Sequence, residues 1–287
     1  MKATRTIAII AGTGLAASLA NSLHGTLVRK NVSVPFGSRS GTVLQYVLGE
    51  LQGLRVLILP RHGPTVEVPD RSPAELVRES GHEAHIWHFH TLGVEHVYGF
   101  NSVGAIDRSV PLASANSFLI PDDYGRGFGI TTHSFGQLAL DIHPSMASPF
   151  SDDLRKNLLD ATTAAGAGAL TSGLYIHSAG DAFESSAEVQ AYRVLYQGSR
   201  NKVVGMTSGA EVVLCKQMKM KFALICASCN WAQGLGDGQD VTHEHVLSGM
   251  RPATDVIRTI AMNLIRIEAL ATTPERAISG SVASETS

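Results

Sequence analysis

The sequence predicts an α/β fold, a single domain in which helices flank a largely parallel or mixed central sheet. Short apolar runs recur along the 287 residues with turn-forming residues between them, which is typical of strands. Stretches with helical spacing of apolar residues lie between several of these runs, and strands that alternate with helices indicate an α/β architecture. No repeat and no Pro- or Ser-rich linker divides the chain, so one domain over residues 1–271 is the simpler interpretation.

The individual elements follow from the position of each apolar pattern. The predicted strands are the apolar runs 6–11, 54–60, 96–103, 117–121, 173–177, 202–206 and 222–226. The predicted helices are the periodic segments 83–92, 154–164, 187–197, 209–218 and 243–269. The polar, glycine-rich segment 122–137 predicts a long surface loop. Residues 272–287 are rich in Ser, Thr and Ala, and we expect this tail to be disordered.

Composition and charge favour a small ligand. The chain has 23 basic and 25 acidic residues and therefore a formal net charge of −2. A slightly negative protein has no long-range electrostatic attraction to nucleic acid or to an acidic membrane. No apolar run approaches the ~20 residues of a membrane helix, and residues 1–5 lead into a strand instead of a signal peptide. Three cysteines predict a reducing cytoplasm without a disulfide framework.

The pair Cys226 and Cys229 has the CxxC spacing of redox and zinc motifs. Residues i and i+3 of a strand point to opposite faces, so the two sulfurs are poorly placed to share a metal or a disulfide. No second CxxC is present in the sequence. The pattern therefore predicts small buried apolar residues.

The first strand runs directly into the turn Gly12-Thr13-Gly14, where backbone N–H groups and a hydroxyl can close on an anion. The turn matches the dinucleotide fingerprint G-x-G-x-x-G/A, which also requires an acidic residue about 20 positions later. The first acidic residue of the chain is Glu50, which argues against NAD, although Arg29 or Lys30 could accept NADP. A turn without a ligand and an NAD(P) enzyme are the alternatives to a phosphate site.

A second group of side chains favours free phosphate. They stand at the ends of three predicted strands: Arg61 with His62, Asn101 with Ser102, and Thr207. Ligands of open α/β sheets bind at the carboxyl ends of strands, and arginine suits bidentate contact with an oxyanion. Each motif alone would be ordinary turn chemistry. Their repetition predicts a pocket for a small anion.

These segments, in order, resemble the trimeric branch of the purine nucleoside phosphorylase and methylthioadenosine phosphorylase family, from about Ile9 to about Leu264. The matching segments are residues 11–15, 59–63, 85–87, 92–94, 101–105, 120–123, 147–150, 182–184, 204–207, 211–213, 230–232 and 242–244. The resemblance implies a nucleoside phosphorylase-like fold with a mixed, twisted and partly barrel-like sheet. It also implies a cytoplasmic homotrimer of purine salvage, with orthophosphate as co-substrate and no metal or organic cofactor.

By this resemblance the reaction is phosphorolysis of a purine nucleoside to the free base and ribose 1-phosphate, through an oxocarbenium-like transition state. The family's phosphate positions match Thr13, Arg61, His62, Asn101, Ser102 and Thr207. The sugar positions match Met206 and His243, and the base positions match Phe183, Glu184, Asn230 and Ala232. His62 and Asn230 are the residues to which the resemblance assigns a catalytic role.

The base-site residues favour 6-oxopurines. The Asn230 amide can donate to O6 and pair with N7, and Glu184 can accept from N1–H. The amide can also turn its carbonyl toward an amine, so methylthioadenosine stays an alternative substrate. Glu184 could instead open a helix, and Asn230 could end a strand.

The sugar side leaves two substrate types open. By the resemblance, His243 matches a histidine that contacts a 5′-hydroxyl. His243 also begins a predicted helix with Thr242 as candidate N-cap, so a 5′-methylthio substrate remains possible.

The chain also departs from the family pattern. Residues Asp181-Ala182 replace Pro-Arg, and Pro64-Thr65-Val66 stands where a further basic residue is common. These departures leave a non-catalytic nucleoside binder as an alternative.

The histidine-rich segment 82–90 does not predict a metal site. His82-Glu83-Ala84-His85 lacks the second histidine of H-E-x-x-H, because position 86 is Ile. His85, His88 and His90 have no acidic partners at ligand spacing. We expect these histidines to serve packing or subunit contact, since the family's trimer interface lies near this region.

Overall fold

A computed structural model describes residues 5–12, 15, 19, 23, 25–33, 35, 42–63, 71–236 and 240–272. The strands are β1 Thr6–Ala11, β2 Thr26–Val32, β3 Thr42–Leu51, β4 Leu54–Pro60, β5 His96–Ala105, β6 Ser117–Leu119, β7 Asp123–Arg126, β8 Gly168–Leu170, β9 Leu174–His177, β10 Val203–Gly205 and β11 Lys221–Trp231. The helices are α1 Pro73–Arg78, α2 Gly81–Thr91, α3 Asp152–Ala164, α4 Ser186–Leu195, α5 Ser208–Gln217, α6 His243–Met250 and α7 Thr254–Thr272.

Within these ranges the strands form one mixed sheet with the order β2-β3-β4-β1-β5-β10-β9-β7, while β11 pairs with β5 and β6, and β6 with β8. Strands β4, β1, β5 and β11 are parallel where they pair, whereas β3 is antiparallel to both of its neighbours, β2 and β4. The predicted α/β class with a mixed central sheet is confirmed. Among the described helices, none is long and apolar enough to cross a membrane.

Strand β5 changes its pairing partner halfway along one of its two edges. Residues 96–99 pair with β1 and residues 104–105 pair with β10, while the opposite edge pairs with β11 from His96 to Ala105. On the first edge, no strand partner is found for residues 100–103 within the part of the chain that the structure describes. We call this interruption the β5 gap. Sheet positions where neighbours diverge are where α/β proteins bind ligands.

The two faces of the sheet are covered by different helices. One face packs residues such as Ile10 and Leu224 against Phe89 of α2 and Leu214 of α5. The other face packs Ile9, Tyr98 and Ile225 against α3 and α7. A smaller cluster lies below α4 and contains Ala232. The helices thereby cover both faces of β1, β5 and β11, and the site described below stands at the ends of these strands.

Several boundaries differ from the prediction. The helix predicted at 243–269 is two helices, α6 and α7, with a 3₁₀ turn at Arg251–Ala253 between them. Pro252 has no N–H for the helical ladder, so it interrupts the periodic pattern. Helix α7 extends through Thr272, one residue into the predicted tail, and residues 273–287 lie outside the described residues. Strand β2 was not predicted, because its mostly exposed side chains give no apolar run.

The segment 122–137 is only partly the surface loop that was predicted. Strand β7 begins at Asp123 and pairs in parallel with β9. Further along, Phe135 is buried in the main core and His133 is buried beside Glu83, with 2.8 Å between His133 Nδ1 and Glu83 Oε1. The sequence did not predict this packing, because a single Phe among glycines and polar residues gives no periodic apolar pattern.

Helix α2 places an unusual number of histidines in the interior. His82, His85 and His88 are buried, and His177 of β9 is buried near His82. Both ring nitrogens of His82 and of His85 lack a hydrogen-bond partner among the described residues. Burial lowers the pKa of all four histidines, of His88 and His177 to about 4. The folded chain therefore holds these imidazoles in the neutral form.

We expect this protein to lose stability in mild acid. Below the ordinary histidine pKa of 6.5 the unfolded chain binds protons that the folded chain does not, so the free energy of unfolding falls as the pH falls. Each buried histidine should contribute roughly 1.4 kcal/mol of this loss between about pH 7.5 and 5.5. Urea unfolding at both pH values measures the loss, and His82→Leu should reduce it. The control His143→Gln, at an exposed position, should leave it unchanged.

Candidate active site

The end of β1, the end of β4 and the β5 gap meet at one place. A Cβ atom placed on Gly12 would lie 2.7 Å from the Phe100 carbonyl oxygen and 3.5 Å from Nη1 of Arg61. Only glycine permits the first approach, because a real Cβ contact is not that short. The first glycine of the Gly-Thr-Gly turn therefore lies next to Arg61, as the sequence predicted. Thr13 and Gly14 lie outside the described residues.

Arg61 is fixed by a buried ion pair with Glu211. Arg61 is 1% exposed and Glu211 0% exposed. Arg61 Nε lies 2.5 Å from Glu211 Oε1, and Nη2 lies 3.1 Å from Oε2, a bidentate arrangement. Nη1 donates to the Phe100 carbonyl in the β5 gap at 3.2 Å. The guanidinium is thus oriented, and its charge is partly neutralised. Nη1 and Nη2 each have a second N–H that takes no part in these three hydrogen bonds.

Asn101, Thr207 and Ser208 extend this ion pair into a buried polar network. Ser208 Oγ donates to Glu211 Oε2 at 2.9 Å, and Asn101 Nδ2 lies 2.9 Å from Ser208 Oγ. Thr207 Oγ1 lies 3.2 Å from Asn101 Oδ1. Tyr175 Oη contacts the same group of residues from β9. Two of the predicted phosphate residues, Asn101 and Thr207, are thereby linked to a third, Arg61.

His62 and Ser102 occupy other positions around the same strand ends. His62 Nδ1 lies 2.6 Å from the Arg71 carbonyl oxygen, to which it can donate, and Arg71 N donates to the His62 carbonyl at 2.8 Å. Ser102 follows Asn101 in β5 and therefore lies on the opposite face of the strand. There it lines a small cleft that is partly open to solvent, together with Gly12, Met250 and Ile257. Residues 64–70, which include the departure at Pro64-Thr65-Val66, are outside the described residues.

A second polar group lies next to Gly104, three residues beyond Asn101 on β5. Glu184 is 6% exposed, and its Oε1 would lie 3.5 Å from a Cβ atom on Gly104. Burial raises the pKa of this carboxyl group, against the lowering effect of backbone hydrogen bonds from Gln233 and Glu184 itself. The helix that follows is capped by Ser185, whose side chain accepts from Glu188 N. Glu184 is therefore not needed to open that helix.

Asn230 is positioned by a β-bulge in β11. The register with β5 shifts between Ser228 and Asn230, which leaves Cys229 as the extra residue. The bulge reverses the alternation of faces, so Trp231 packs against the cluster that contains Cys226. Asn230 consequently turns to the other face, away from the one it would share with Cys226 in a regular strand.

The Asn230 amide is held within the strand end. Cys229 Sγ lies 3.0 Å from Asn230 Oδ1, and Asn230 Nδ2 donates to the Trp231 carbonyl at 2.7 Å. Burial raises the pKa of Cys229 to about 12, so its thiol stays protonated and can donate. One amide N–H and one lone pair remain for a ligand. All three cysteines are free, which confirms that Cys226 and Cys229 form no disulfide.

The remaining predicted residues surround this region less closely. Ala232 is fully buried, and Phe183 is 39% exposed at the entrance to α4. Met206 is half-buried, and its Cβ would lie 3.2 Å from a Cβ on Gly180, whose φ is +100°. His243 is exposed at the start of α6, where Thr242 accepts from His245 N at 3.2 Å as the predicted N-cap. The structure records no contact between His243 and the polar network.

Sequence reasoning left two important members of the network without a role, Glu211 and Tyr175. Glu211 stands four residues after Thr207, so it faces back toward the start of α5 by helical spacing. That spacing was available in the sequence. Tyr175 gave no signal, because its hydroxyl meets Thr207 only through the pairing of β9 with β10. No group of three or more His, Cys, Asp or Glu side chains among the described residues is arranged to hold a metal ion.

The fold is that of solved nucleoside phosphorylases. A methylthioadenosine phosphorylase from Schistosoma mansoni superimposes with a TM-score of 0.75 at 18% identity, covering 93% of this chain and 92% of that one. The family model described as "Phosphorylase superfamily" matches residues 6–266. The chain therefore belongs to the phosphorylase superfamily.

Curated relatives within this family carry more specific names. A 6-oxopurine nucleoside phosphorylase from Pyrococcus furiosus is 27% identical over 262 residues, which covers 88% of this chain and 90% of the relative. A probable S-methyl-5′-thioinosine phosphorylase from Methanothermobacter thermautotrophicus is 28% identical over 230 residues, which covers 80% and 72%. This chain is thus similar to one protein that is named for 6-oxopurine nucleosides and to one that is named for S-methyl-5′-thioinosine.

We expect Glu211→Ala to destabilise the protein strongly. Removal of the carboxylate leaves the Arg61 guanidinium buried without its counter-charge, which typically lowers the free energy of unfolding by about 3–5 kcal/mol. Urea unfolding at neutral pH measures the change. The control Glu244→Ala, at an exposed position of α6, should change the stability by less than about 0.5 kcal/mol. Equal effects of the two substitutions would contradict a structural role for the buried pair.

Proposed function

We propose that this protein catalyses phosphorolysis of purine nucleosides or their 5′-methylthio analogues, with 6-oxopurines preferred. The products are the free purine base and (methylthio)ribose 1-phosphate. The observation that carries the proposal is the placement of two polar groups along β5, the Arg61–Asn101–Thr207 network and Glu184 beside Gly104. Ser102, which follows Asn101, shares a face of β5 with Gly104 and lies roughly 7 Å before it, a spacing that suits a nucleoside between a phosphate and a base contact.

In the proposed reaction, an oxygen of orthophosphate attacks C1′ of the ribose while the bond from C1′ to the purine nitrogen breaks. Arg61, with Asn101 and Thr207, would bind the phosphate, and His62 and the Ser102 backbone would complete its site with Thr13. Asn230 would stabilise the negative charge that develops on the departing purine, because its amide has an N–H beyond the one given to Trp231. Met206 and His243 would contact the sugar, and Phe183 and Ala232 the base.

The base preference rests on Glu184 and Asn230. An ionised Glu184 would accept from N1–H of hypoxanthine or guanine, and the Asn230 amide would donate to O6 or N7. The names of the two relatives support the same class of base. A second candidate substrate is methylthioadenosine, because burial raises the pKa of Glu184 and a protonated carboxyl can donate to the unprotonated N1 of adenine.

The proposal includes the setting in which the enzyme works. We infer a cytoplasmic homotrimer in purine salvage that needs orthophosphate as co-substrate and no metal or organic cofactor. The support is the resemblance to the family's trimeric branch and the small number of cysteines. Size-exclusion chromatography with light scattering tests the oligomeric state, and activity after chelator treatment tests the metal requirement.

Release of base from inosine, methylthioinosine and methylthioadenosine, with and without phosphate, tests the proposed function. We expect phosphate-dependent cleavage, fastest for a 6-oxopurine nucleoside. Absence of cleavage of all three would refute catalysis. If nucleosides then still raise the melting temperature, the chain is a nucleoside binder. Saturable NAD(P)H fluorescence without protection by phosphate would instead support the dehydrogenase alternative.

Asn230→Asp should shift the preference toward 6-aminopurines, because a carboxylate accepts hydrogen bonds from the amine and repels O6. The measurement is the ratio of kcat/KM for inosine to kcat/KM for adenosine, which we expect to fall at least about tenfold, or ~1.4 kcal/mol. Asn263→Asp, on the half-buried side of α7, is the matched control and should leave the ratio unchanged. An unchanged ratio in the Asn230 variant would show that this residue does not read position 6.

A further inference from the structure

Tyr175 stands at the centre of the buried network without reaching the surface. It is 0% exposed, and β9 places its hydroxyl between β5 and the start of α5. Tyr175 Oη lies 3.2 Å from Asn101 Nδ2, 3.3 Å from Thr207 N and 3.1 Å from Ser208 N. A single phenol oxygen therefore meets three residues of the buried network, and two of them, Asn101 and Thr207, belong to the proposed phosphate site.

These contacts exceed what a phenol can accept. The oxygen has two lone pairs for three N–H donors, and its own proton needs an acceptor. In the same arrangement Thr207 Oγ1 donates to Asn101 Oδ1, so the Thr207 proton is directed inward and cannot reach an anion. This arrangement also presents a hydroxyl lone pair where a dianion would need a donor.

A half-turn of the Asn101 amide removes both problems while every other heavy atom keeps its place. The amide oxygen then accepts from Tyr175 O–H and Ser208 O–H over the same 3.2 and 2.9 Å. The amide nitrogen donates to Thr207 Oγ1 at 3.2 Å, which releases the Thr207 proton toward the site. Tyr175 Oη now accepts only the two backbone N–H groups. Glu211 Oε2 retains Arg61 Nη2 at 3.1 Å but loses the Ser208 proton, which leaves two oxygens 2.9 Å apart with no proton between them. The second arrangement is therefore favoured when phosphate binding offsets this repulsion.

We propose that Tyr175 is a positioning residue that turns Asn101, and through it the Thr207 hydroxyl, into the arrangement that binds orthophosphate. The inference rests on the proposed function and deepens it, because it assigns the phosphate affinity partly to a residue that does not touch the ligand. The Tyr175 proton selects the second amide orientation. Burial raises the pKa of Tyr175, so this proton is present throughout the working pH range.

Tyr175→Phe tests the proposal, with Tyr98→Phe as the matched control. Tyr98 is equally buried, but its hydroxyl contacts Glu268 and Asn157, which lie outside the network. Titration calorimetry with inorganic phosphate and steady-state kinetics should show about tenfold weaker phosphate binding in Tyr175→Phe, or ~1.4 kcal/mol. KM for the nucleoside should stay within twofold, and Tyr98→Phe should bind phosphate as the wild type does.

A double-mutant cycle separates positioning from general destabilisation. If Tyr175 acts through the Asn101 amide, Tyr175→Phe should have no further effect on phosphate binding in an Asn101→Leu background. Equal losses in both backgrounds, or unchanged phosphate affinity in the single variant, would overturn the inference. The proposed function fails differently, by absence of nucleoside cleavage in the wild type. Because calorimetry measures phosphate binding directly, it decides the role of Tyr175 in either case.

Discussion

The buried ion pair between Arg61 and Glu211 is the constraint around which the site is organised. Neither side chain is exposed, and an uncompensated charge at this depth would destabilise the fold by several kcal/mol. The pair also joins two distant elements, because Arg61 follows β4 and Glu211 lies in α5. Its third contact, from Nη1 to the Phe100 carbonyl, ties both to the β5 gap. The stability of the fold therefore depends on the same guanidinium that we propose as a phosphate ligand.

The β5 gap explains why these residues meet. β5 leaves β1 after residue 99 and joins β10 at residue 104, so its backbone between them has no strand partner on that edge among the described residues. Arg61 occupies part of this interruption, and Gly12 approaches it too closely for any Cβ. Side chains of β5 then divide between two faces. Asn101 joins the polar network, while Ser102 lines the cleft beside Met250 and Ile257.

The base side depends on two local irregularities. The bulge at Cys229 turns Asn230 to the opposite face of β11, and the protonated thiol holds its amide oxygen. Glu184 stands one residue before Ser185, the N-cap of a helix that has its own capping box, so its burial serves no helical purpose. Both observations support a role in base recognition. The proposed substrate preference therefore depends on hydrogen-bond orientation, just as the proposed phosphate binding depends on the orientation of the Asn101 amide.

The sequence by itself determined the fold class and most of the strands, because apolar runs and helical spacing are local signals that survive without a structure. Its Gly-Thr-Gly turn and the motifs at three strand ends indicated an anion site. The break of the last helix also had a local signal in Pro252, which the apolar periodicity outweighed. Two features depended on the tertiary structure: the ion pair that engages Arg61, and the place of Tyr175 beside Thr207. The pair and Tyr175 arise from contacts between residues far apart in the chain, so no local pattern records them. Strand pairing and helix packing alone decided them.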